Sequence, residues 1–347
     1  MTLNIAIIGA GIAGITAART LAQAGHHVHV FEKSRGAGGR MSTRDSNFGT
    51  FDHGAQYFTV RDPRFSLAIQ AVPGTTDICR PWSANAVRVL DPLGHVFEAA
   101  RATKEAHFVA KPGMNALVRH WAQPLGKAIS YNTQVNRLER VAKGLWTVHT
   151  EAKKFTGFDH VLLAIPAVQA ENLLKASGKE AANAQWLKAM DAVDVAPCWT
   201  MMVAFPNATQ PDLHIGPQWN AARSIHHRIA WLTRESSKPG RSKVERWTVQ
   251  ASAAWSAEHI TDTEARVTAK LLRAFAELTG IRAEPAHAQV HRWLYAKTVK
   301  PLGKSYQYNP ANGLGTCGDW HLGHRVEDAF VSGLELALAV CQSAKRL

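Results

Sequence analysis

The sequence predicts an α/β fold in which a Rossmann-like nucleotide-binding unit carries an inserted, β-sheet-rich region. Three observations predict it. Ile5-Ala6-Ile7-Ile8 runs into Gly9-Ala10-Gly11-Ile12-Ala13-Gly14, and a second apolar run, Val28-His29-Val30-Phe31, closes on Glu32. The middle of the chain is rich in short strand-like runs. The C-terminal stretch 326–344 is small and apolar throughout and reads as a helix. Nucleotide-type text at both ends, with β-rich text between, is not a tandem pair of domains. It predicts a discontinuous nucleotide-binding domain over 1–75, 108–168 and 312–347, with 76–107 and 169–311 forming the substrate domain.

In the first unit Gly9 permits a tight turn off the strand, and Gly11 lets the backbone approach a pyrophosphate. Gly14, after Ala13, lets the helix pack closely on the strand. The helix N-terminus then offers free N–H groups and a partial positive charge to the phosphates. Ile15, Ala18, Leu21 and Ala22 carry the helical pattern. Glu32 stands at the end of the second strand, where a carboxylate accepts bonds from the adenosine ribose hydroxyls. An acid there argues against a cofactor whose 2′-phosphate is bound in this half.

Composition excludes several classes. The 347 residues are 46% hydrophobic and 19% charged, as in an ordinary globular protein. No apolar stretch approaches the ~20 residues needed to cross a bilayer. The N-terminus lacks a basic segment and cleavage site, so no membrane association and a cytoplasmic location are expected. Cys79, Cys198, Cys317 and Cys341 are scattered, without zinc-site or disulfide-framework spacing. The net charge of +13 is spread without a dense patch, which argues against a nucleic-acid partner. It suits a basic surface that steers a phosphorylated ligand toward a cleft. The 17 histidines, including His26-His27, His29 and His226-His227, form no ligand spacing, and no metal is expected.

Along the chain, 51–65 reads as a loop leading to a helix near 64–71. Strands 87–90 and 95–97 flank Asp91-Pro92-Leu93-Gly94 as a hairpin. Pro112-Gly113 opens a helix over 114–121. Strands are expected at 129–131, 134–141, 145–149 and 160–165, stopped by Pro166, and helical text follows to about 190. Further strands fall at 200–205, 229–233, 246–251 and 287–294, with an amphipathic helix over 263–279. Pro239-Gly240-Arg241-Ser242 reads as a turn.

The residues after Glu32 narrow the cofactor. Gly38-Gly39-Arg40 with Arg44 resembles the GG-R-x-x-S/T-R extension of flavoproteins of the amine-oxidase superfamily. Asp52-His53-Gly54-Ala55-Gln56-Tyr57-Phe58-Thr59 resembles an element of one branch, the renalase-like flavoproteins. Cys317-Gly318-Asp319-Trp320 and Gly323-His324-Arg325-Val326-Glu327-Asp328-Ala329 resemble the closing motif. Lys111-Pro112-Gly113-Met114, Trp255-Ser256 with His259, and His291-Arg292-Trp293-Leu294-Tyr295-Ala296 match further elements of the bacterial members. The basic, aromatic stretch 297–312 departs from them.

The resemblance implies the FAD-binding fold of the p-hydroxybenzoate hydroxylase and amine oxidase type, with non-covalent FAD. It implies that Gly9, Gly11, Ala13, Gly14, Glu32, Lys33, Gly39, Arg40, Met41 and Val135 bind the cofactor, with Arg40 against the diphosphate or the ring and Val135 meeting the adenine. Gln56, Tyr57, Gly318, Asp319, Arg325, Val326 and Glu327 would meet the flavin half. Asp319 would accept from the ribityl chain or phosphate-proximal hydroxyls, and the N–H groups near 325–327 would face the N1–C2=O edge of the ring. The activity it implies is oxidation of 1,2- and 1,6-dihydronicotinamide dinucleotides, with O2 reduced to hydrogen peroxide. Such substrates are strong hydride donors, so stacking over the flavin does most of the work. Tyr57, Trp293 and Tyr295 are the expected slot, with His291 and Arg292 contacting the amide or phosphates; packing into the core is the competing reading of Trp293. The alternatives are a flavin amine oxidase using Lys111 or Lys297 near the ring, and a flavin-binding protein without turnover. Cys317 abuts the Gly318-Asp319 turn and is expected to be a small buried residue, not a covalent flavin link. The sequence leaves the oligomeric state open, and a monomer is compatible with this activity.

Overall fold

The N-terminal apolar runs form the parallel heart of one sheet. The computed structural model describes residues 1–82, 87–99, 105–141, 144–179, 181, 183–209, 217 and 219–345. In it β1 (Asn4–Ile8), α1 (Ile12–Gln23) and β2 (His27–Phe31) open the chain. Then come α2 (Pro63–Ala71), α3 (Thr75–Ile78), β3 (Cys79–Trp82), β4 (Val87–Leu90), β5 (Val96–Ala99) and β6 (His107–Ala110). α4 (Asn115–Ala122) and β7 (Ile129–Ser130) precede the strands β8 (Val135–Arg140), β9 (Trp146–Thr150), β10 (Lys154–Phe158) and β11 (His160–Leu163). After these lie α5 (Ala167–Ala176), α6 (Ala184–Asp191), β12 (Asp194–Phe205), β13 (Ala221–Ser224), β14 (Ile229–Arg234) and β15 (Glu245–Ala251). The last elements are α7 (Ala253–Glu258), α8 (Glu264–Thr279), β16 (His287–Lys300), β17 (Gln307–Asn309), β18 (Leu314–Thr316) and α9 (Val326–Ala344).

The first sheet has the order β17-β18-β11-β1-β2-β7 and is parallel except at β17. β1 is apolar on both faces because both faces are covered. Ile5 and Ile7 join a core with α1, α4 and α9, while Ala6 and Ile8 face a second core under β8, β9 and α5. α1 and α9 touch so closely that a Cβ at Gly333 would lie 2.2 Å from the Ala13 carbonyl oxygen. Among the described residues, no helix is long and apolar enough to cross a membrane.

The second large sheet runs β16-β12-β15-β14-β13-β4-β5 and is antiparallel except for the β13–β4 pair. One face is closed by α8, whose Val267, Leu271, Phe275 and Leu278 recur at helical spacing and pack on Trp199, Met201, Val203 and Trp247. Thr263 caps α8 by accepting from the Arg266 N–H, and Gly280 ends it at φ +73°. The opposite face of this sheet turns toward residues 44–57, and that seam holds most of the candidate site.

The α/β class and the Rossmann-like unit stand as the sequence predicts. Differences are confined to elements without a strong period of their own. β3, β6, β10, β13, β17 and β18 are not among the strands the sequence predicts; several are short and are held by a partner strand. β12 starts before 200 and β16 runs on past 294, because the two pair along nearly their whole length. The helical text after 166 divides into α5 and α6, and residues 180 and 182 lie outside the described residues. β17 pairs inside the first sheet, so the C-terminal part of that sheet begins before the expected boundary at 312.

Candidate active site

The glycine loop after β1 is built around backbone contacts. A Cβ on Gly14 would lie 2.0 Å from the Gly9 carbonyl oxygen, so Gly14 is what seats α1 on the turn. Gly9 takes φ +107° and donates its N–H to the Phe31 carbonyl at 2.8 Å. Gly11 differs from both. It is extended at φ −75°, and a Cβ there would meet nothing closer than the Cα of Gly39 at 4.0 Å. Two glycine loops thus cross backbone to backbone beside an open space at the α1 N-terminus. Ala13 is buried where α1 meets α9, and Met41 is buried in the short helical turn of residues 39–41.

Glu32 is buried at the end of β2. One carboxylate oxygen accepts from the Ala10 N–H at 2.7 Å and the other from the Ser34 N–H at 2.8 Å. A carboxylate has about four acceptor sites, so each oxygen keeps capacity after these bonds. The Glu32 carbonyl accepts from the Thr133 N–H at 2.8 Å, which brings Val135, the first residue of β8, to the same edge. Lys33 is exposed beside it.

The two ends of the chain meet directly. Arg40 makes a bidentate pair with Asp319, with one bond of 3.0 Å, and Thr298 donates weakly to the same carboxylate at 3.4 Å. The resemblance implies a separate cofactor contact for each; the structure engages them with one another. Gly318 donates its N–H to Ser332 Oγ at 2.9 Å, tying the turn to α9. Arg325 precedes α9 and donates its N–H to Asp328 at 2.8 Å, leaving Val326 and Glu327 in the first turn, where amides have no intrahelical partner. The Glu327 side chain points elsewhere: it accepts from the N–H groups of Arg61, at 2.6 Å, and Asp62.

Asp52 is the hub of the seam. Its side chain is fully buried and accepts from Thr43 Oγ1 and the Met114 N–H, both at 2.8 Å. Lys238 at 2.9 Å and Arg241 at 2.6 Å complete its shell. Burial alone would raise this carboxyl; Lys238 and Arg241 outweigh burial and hold it below the usual carboxylate range. Lys238 also binds Glu235, which accepts from Thr248 Oγ1 at 2.8 Å. In the sequence Lys238 and Arg241 are only neighbours of a Pro-Gly turn. Nothing local marks them as buried.

Gln56 is buried beside this hub and donates to the carbonyls of Asp52 and Gly54, while its Oε1 has no partner. Gln250 of β15 also donates to the Gly54 carbonyl, at 3.0 Å.

The expected slot of Tyr57, Trp293 and Tyr295 is divided between two aromatic groups. Tyr57 lies against His107 with ring centroids 4.5 Å apart, Trp231 at 5.8 Å and Trp82 at 6.2 Å. Trp293 instead stacks on His53 at 5.3 Å and meets His291 edge-on at 4.5 Å. Its indole N–H donates to the His53 carbonyl at 2.9 Å, and it is half-buried, not a core residue. Tyr295 is partly buried at the irregular stretch of β16 between Trp293 and Lys297 and makes no ring contact with Tyr57 or Trp293. Burial, then the neighbouring His291 and Arg44, pushes His53 down to about 3, and burial with Arg44 pushes His291 down to about 4, so both rings are neutral at pH 7. Arg292 is on the other face of β16, donating to the Ile260 carbonyl at 2.7 Å and lying over Trp199, so it does not join His291. Lys297 is exposed, and the Lys111 stem packs beside Gly240. Cys317 is fully buried, and burial pushes its thiol up to about 12.

Comparison with known proteins agrees with this architecture. Residues 7–68 match the NAD(P)-binding Rossmann-like domain, and residues 97–341 match the flavin containing amine oxidoreductase family. The chain is 45% identical over 60 residues to 4,4'-diapophytoene desaturase of Staphylococcus haemolyticus, and that match covers 17% of this chain and 12% of the desaturase. The Staphylococcus aureus enzyme of the same name is 46% identical over 52 residues, 15% of this chain and 10% of its own length. This chain therefore spans about a tenth of the curated relatives it matches. Among solved structures, a putative protoporphyrinogen oxidase from Exiguobacterium superposes with a TM-score of 0.78 at 13% identity, covering 99% of both chains. Cyclohexylamine oxidase from Brevibacterium oxydans superposes with a TM-score of 0.70 at 14% identity, covering 100% of both. Those likenesses concern the fold. With one family's pattern matched over 97–341, more than half of its length, the chain belongs to the flavin containing amine oxidoreductases, oxidoreductases that carry a flavin and act on small molecules.

Proposed function

We propose that the protein holds FAD non-covalently and oxidises isomeric dihydronicotinamide dinucleotides, the 1,2- and 1,6-dihydro forms, with O2 as acceptor and hydrogen peroxide as product. The residues present fit the dinucleotide. The open space at Gly11 and Gly39 would take the diphosphate, and the spare acceptor capacity of Glu32 the ribose hydroxyls. The unpartnered Gln56 Oε1 and the first-turn amides at Val326 and Glu327 would meet the ring edge. The buried Cys317 thiol supports non-covalent binding. In domain terms, 1–75, 108–168 and the C-terminal part from β17 onward hold the cofactor, and the remainder receives substrate.

Bound flavin supplies a hydride acceptor that O2 can regenerate. The chain's own contribution is orientation. Trp293 is held against Gly54 and His53 by its N–H bond, and Tyr57 is wedged among Trp82, His107 and Trp231. Flat, rigid aromatic faces on the seam can hold a planar ring in reacting position. His53 and His291 are neutral across the physiological range, so neither asks the reaction for a proton. That suits a substrate that is already a hydride donor.

One observation carries the choice of substrate, namely the sign of the charges on this lining. Arg44 lies beside His53 and His291, while at His107 the Glu105 carboxylate acts more strongly than the exposed Arg223. The buried carboxylates Asp52 and Glu235 are bound by Lys238 and Arg241. An ammonium ion at the Trp293 face would meet the unpaired Arg44, whereas an anionic dinucleotide is drawn toward it. Aerobic incubation with the 1,2- and 1,6-dihydro isomers, cyclohexylamine and putrescine tests this by O2 uptake. Uptake with the isomers alone is expected, with oxidised nicotinamide dinucleotide and peroxide formed in equal amounts. Uptake with an amine alone moves the protein to the amine oxidases, and uptake with none makes it a flavin-binding protein without turnover.

A further inference from the structure

β16 alternates in exposure, and its half-buried His287, Gln289, His291 and Trp293 share one face. That face meets residues 44–54. Phe51 stacks on His287 with centroids 5.5 Å apart, and His53 lies edge-on to His291 at 4.9 Å. Arg44 and Phe51 exchange two backbone hydrogen bonds of 2.8 Å, and directly paired residues put their side chains on the same side. Arg44 is therefore beside the same three imidazoles. Its guanidinium is half-buried and has no hydrogen-bond or carboxylate partner among the described residues. His53 is 5% exposed, and its buried Nδ1 has no well-formed hydrogen bond, the Phe51 carbonyl being its one nearby backbone acceptor. Asp52, beside His53 in sequence, is already bound by Lys238 and Arg241, and Asp45, the exposed neighbour of Arg44, makes no ion pair with it. An unpaired guanidinium among three imidazoles, with no carboxylate among the described residues bonded to any of the four, forms an incomplete site whose missing member is an anion.

We propose that Arg44, His53, His287 and His291 form an anion subsite that takes the diphosphate of the substrate, at the end of the seam away from the flavin. The anion site stands on the geometry above, while the identity of its occupant rests on the dihydronicotinamide reading. Spacing agrees with that occupant. His291 is two strand positions, about 7 Å, from Trp293, the span of one ribose between a stacked ring and its phosphate. Burial and the Arg44 charge hold His287 as well as His53 and His291 below the ordinary histidine range, and a bound anion relieves that repulsion.

The test uses the flavin-loaded protein and two arms. In the first, inorganic pyrophosphate is titrated calorimetrically into the wild type, Arg44→Gln, His291→Asn and Lys188→Gln. Lys188 is an exposed residue of α6 and reports general attraction to the basic surface. Loss of one charge-assisted bond predicts at least tenfold weaker pyrophosphate binding in Arg44→Gln, several-fold weaker in His291→Asn and no change in Lys188→Gln. Equal binding by the wild type and both site variants, or an equal loss in Lys188→Gln, overturns the subsite. In the second arm, KM is compared between a 1,2-dihydro dinucleotide and the phosphate-free dihydronicotinamide riboside. Arg44→Gln is expected to raise the ratio of the two KM values about tenfold, and an unchanged ratio overturns the substrate assignment of the site. If pyrophosphate binds as expected but no dihydronicotinamide is oxidised, the anion site stands and the proposed reaction falls. Should Arg44→Gln lose its flavin, His291→Asn alone decides both arms.

Discussion

Replacing Gly11 by alanine separates a cofactor cradle from an ordinary helix start. The backbone at Gly11 is extended, φ −75° and ψ 179°, a conformation any residue adopts, and the added methyl meets nothing within 4.0 Å. Reduced chain entropy in the unfolded state favours alanine by ~0.4–1 kcal/mol, and the poorer N-cap costs a similar amount. The apo-protein should therefore melt within about 2 °C of the wild type. If the diphosphate occupies that space, the methyl overpacks it at a cost of about 1–3 kcal/mol, which is about 5- to 150-fold in affinity. Gly14→Ala is the contrast. Its methyl would sit 2.0 Å from the Gly9 carbonyl oxygen, so the fold itself must give. Apo-protein melting by circular dichroism and titration with FAD measure the two terms separately. A folded Gly11→Ala protein that binds FAD as tightly as the wild type refutes the cradle, and one that melts many degrees lower refutes the open space.

Other perturbations probe the supports of the site. Lys238→Met leaves Asp52 and Glu235 buried with one cation fewer. Urea unfolding should show a loss of about 3–5 kcal/mol, and a loss below 1 kcal/mol would contradict the hub. Asp319→Asn removes a charge from the bidentate pair with Arg40, so flavin content and melting temperature should fall together; a change in neither would show that the joined ends are incidental. With His53 near 3 and His291 near 4 in the free protein, kcat/KM should be flat from about pH 5.5 to 8. A step near the ordinary histidine value of about 6.5 would place a titrating imidazole in the reaction. Stability behaves differently. Burial depresses His53, His291 and His321 in the folded state, to about 3, 4 and 3, so the unfolded chain binds more protons below its own pKa of about 6.5. Their contribution is complete above that pH and is lost as pH falls toward 4, on the order of 2 kcal/mol per histidine at pH 5. A urea midpoint unchanged between pH 7 and 5 would contradict this.

What the sequence shows depends on whether its cause is local. The run from Ile5 to Glu32 is legible because strand, turn and helix each leave their own period and glycine spacing. α9 is legible end to end, since Val326–Ala344 carries one continuous apolar pattern. The seam is not. Lys238 and Arg241 look like solvated residues beside Pro239-Gly240, and only the approach of Asp52 from 186 and 189 residues away makes them buried partners. The neighbours of Tyr57 come from β3, β6 and β14, and no spacing in the chain announces that they converge. The Arg40–Asp319 pair is a similar case: both residues stand out in their motifs, but their bond spans 279 positions. Short strands such as β17 and β18 exist through their partners, and too few residues carry their pattern for a period to show.

The central claim concerns the electron donor, and it is tested most directly by mixing the oxidised flavoprotein anaerobically with each candidate in a stopped-flow spectrometer. The 1,2- and 1,6-dihydronicotinamide dinucleotides are expected to bleach the flavin within seconds, while cyclohexylamine and putrescine leave it yellow. Rapid bleaching by an amine, or bleaching by no donor faster than that of free flavin, would contradict it.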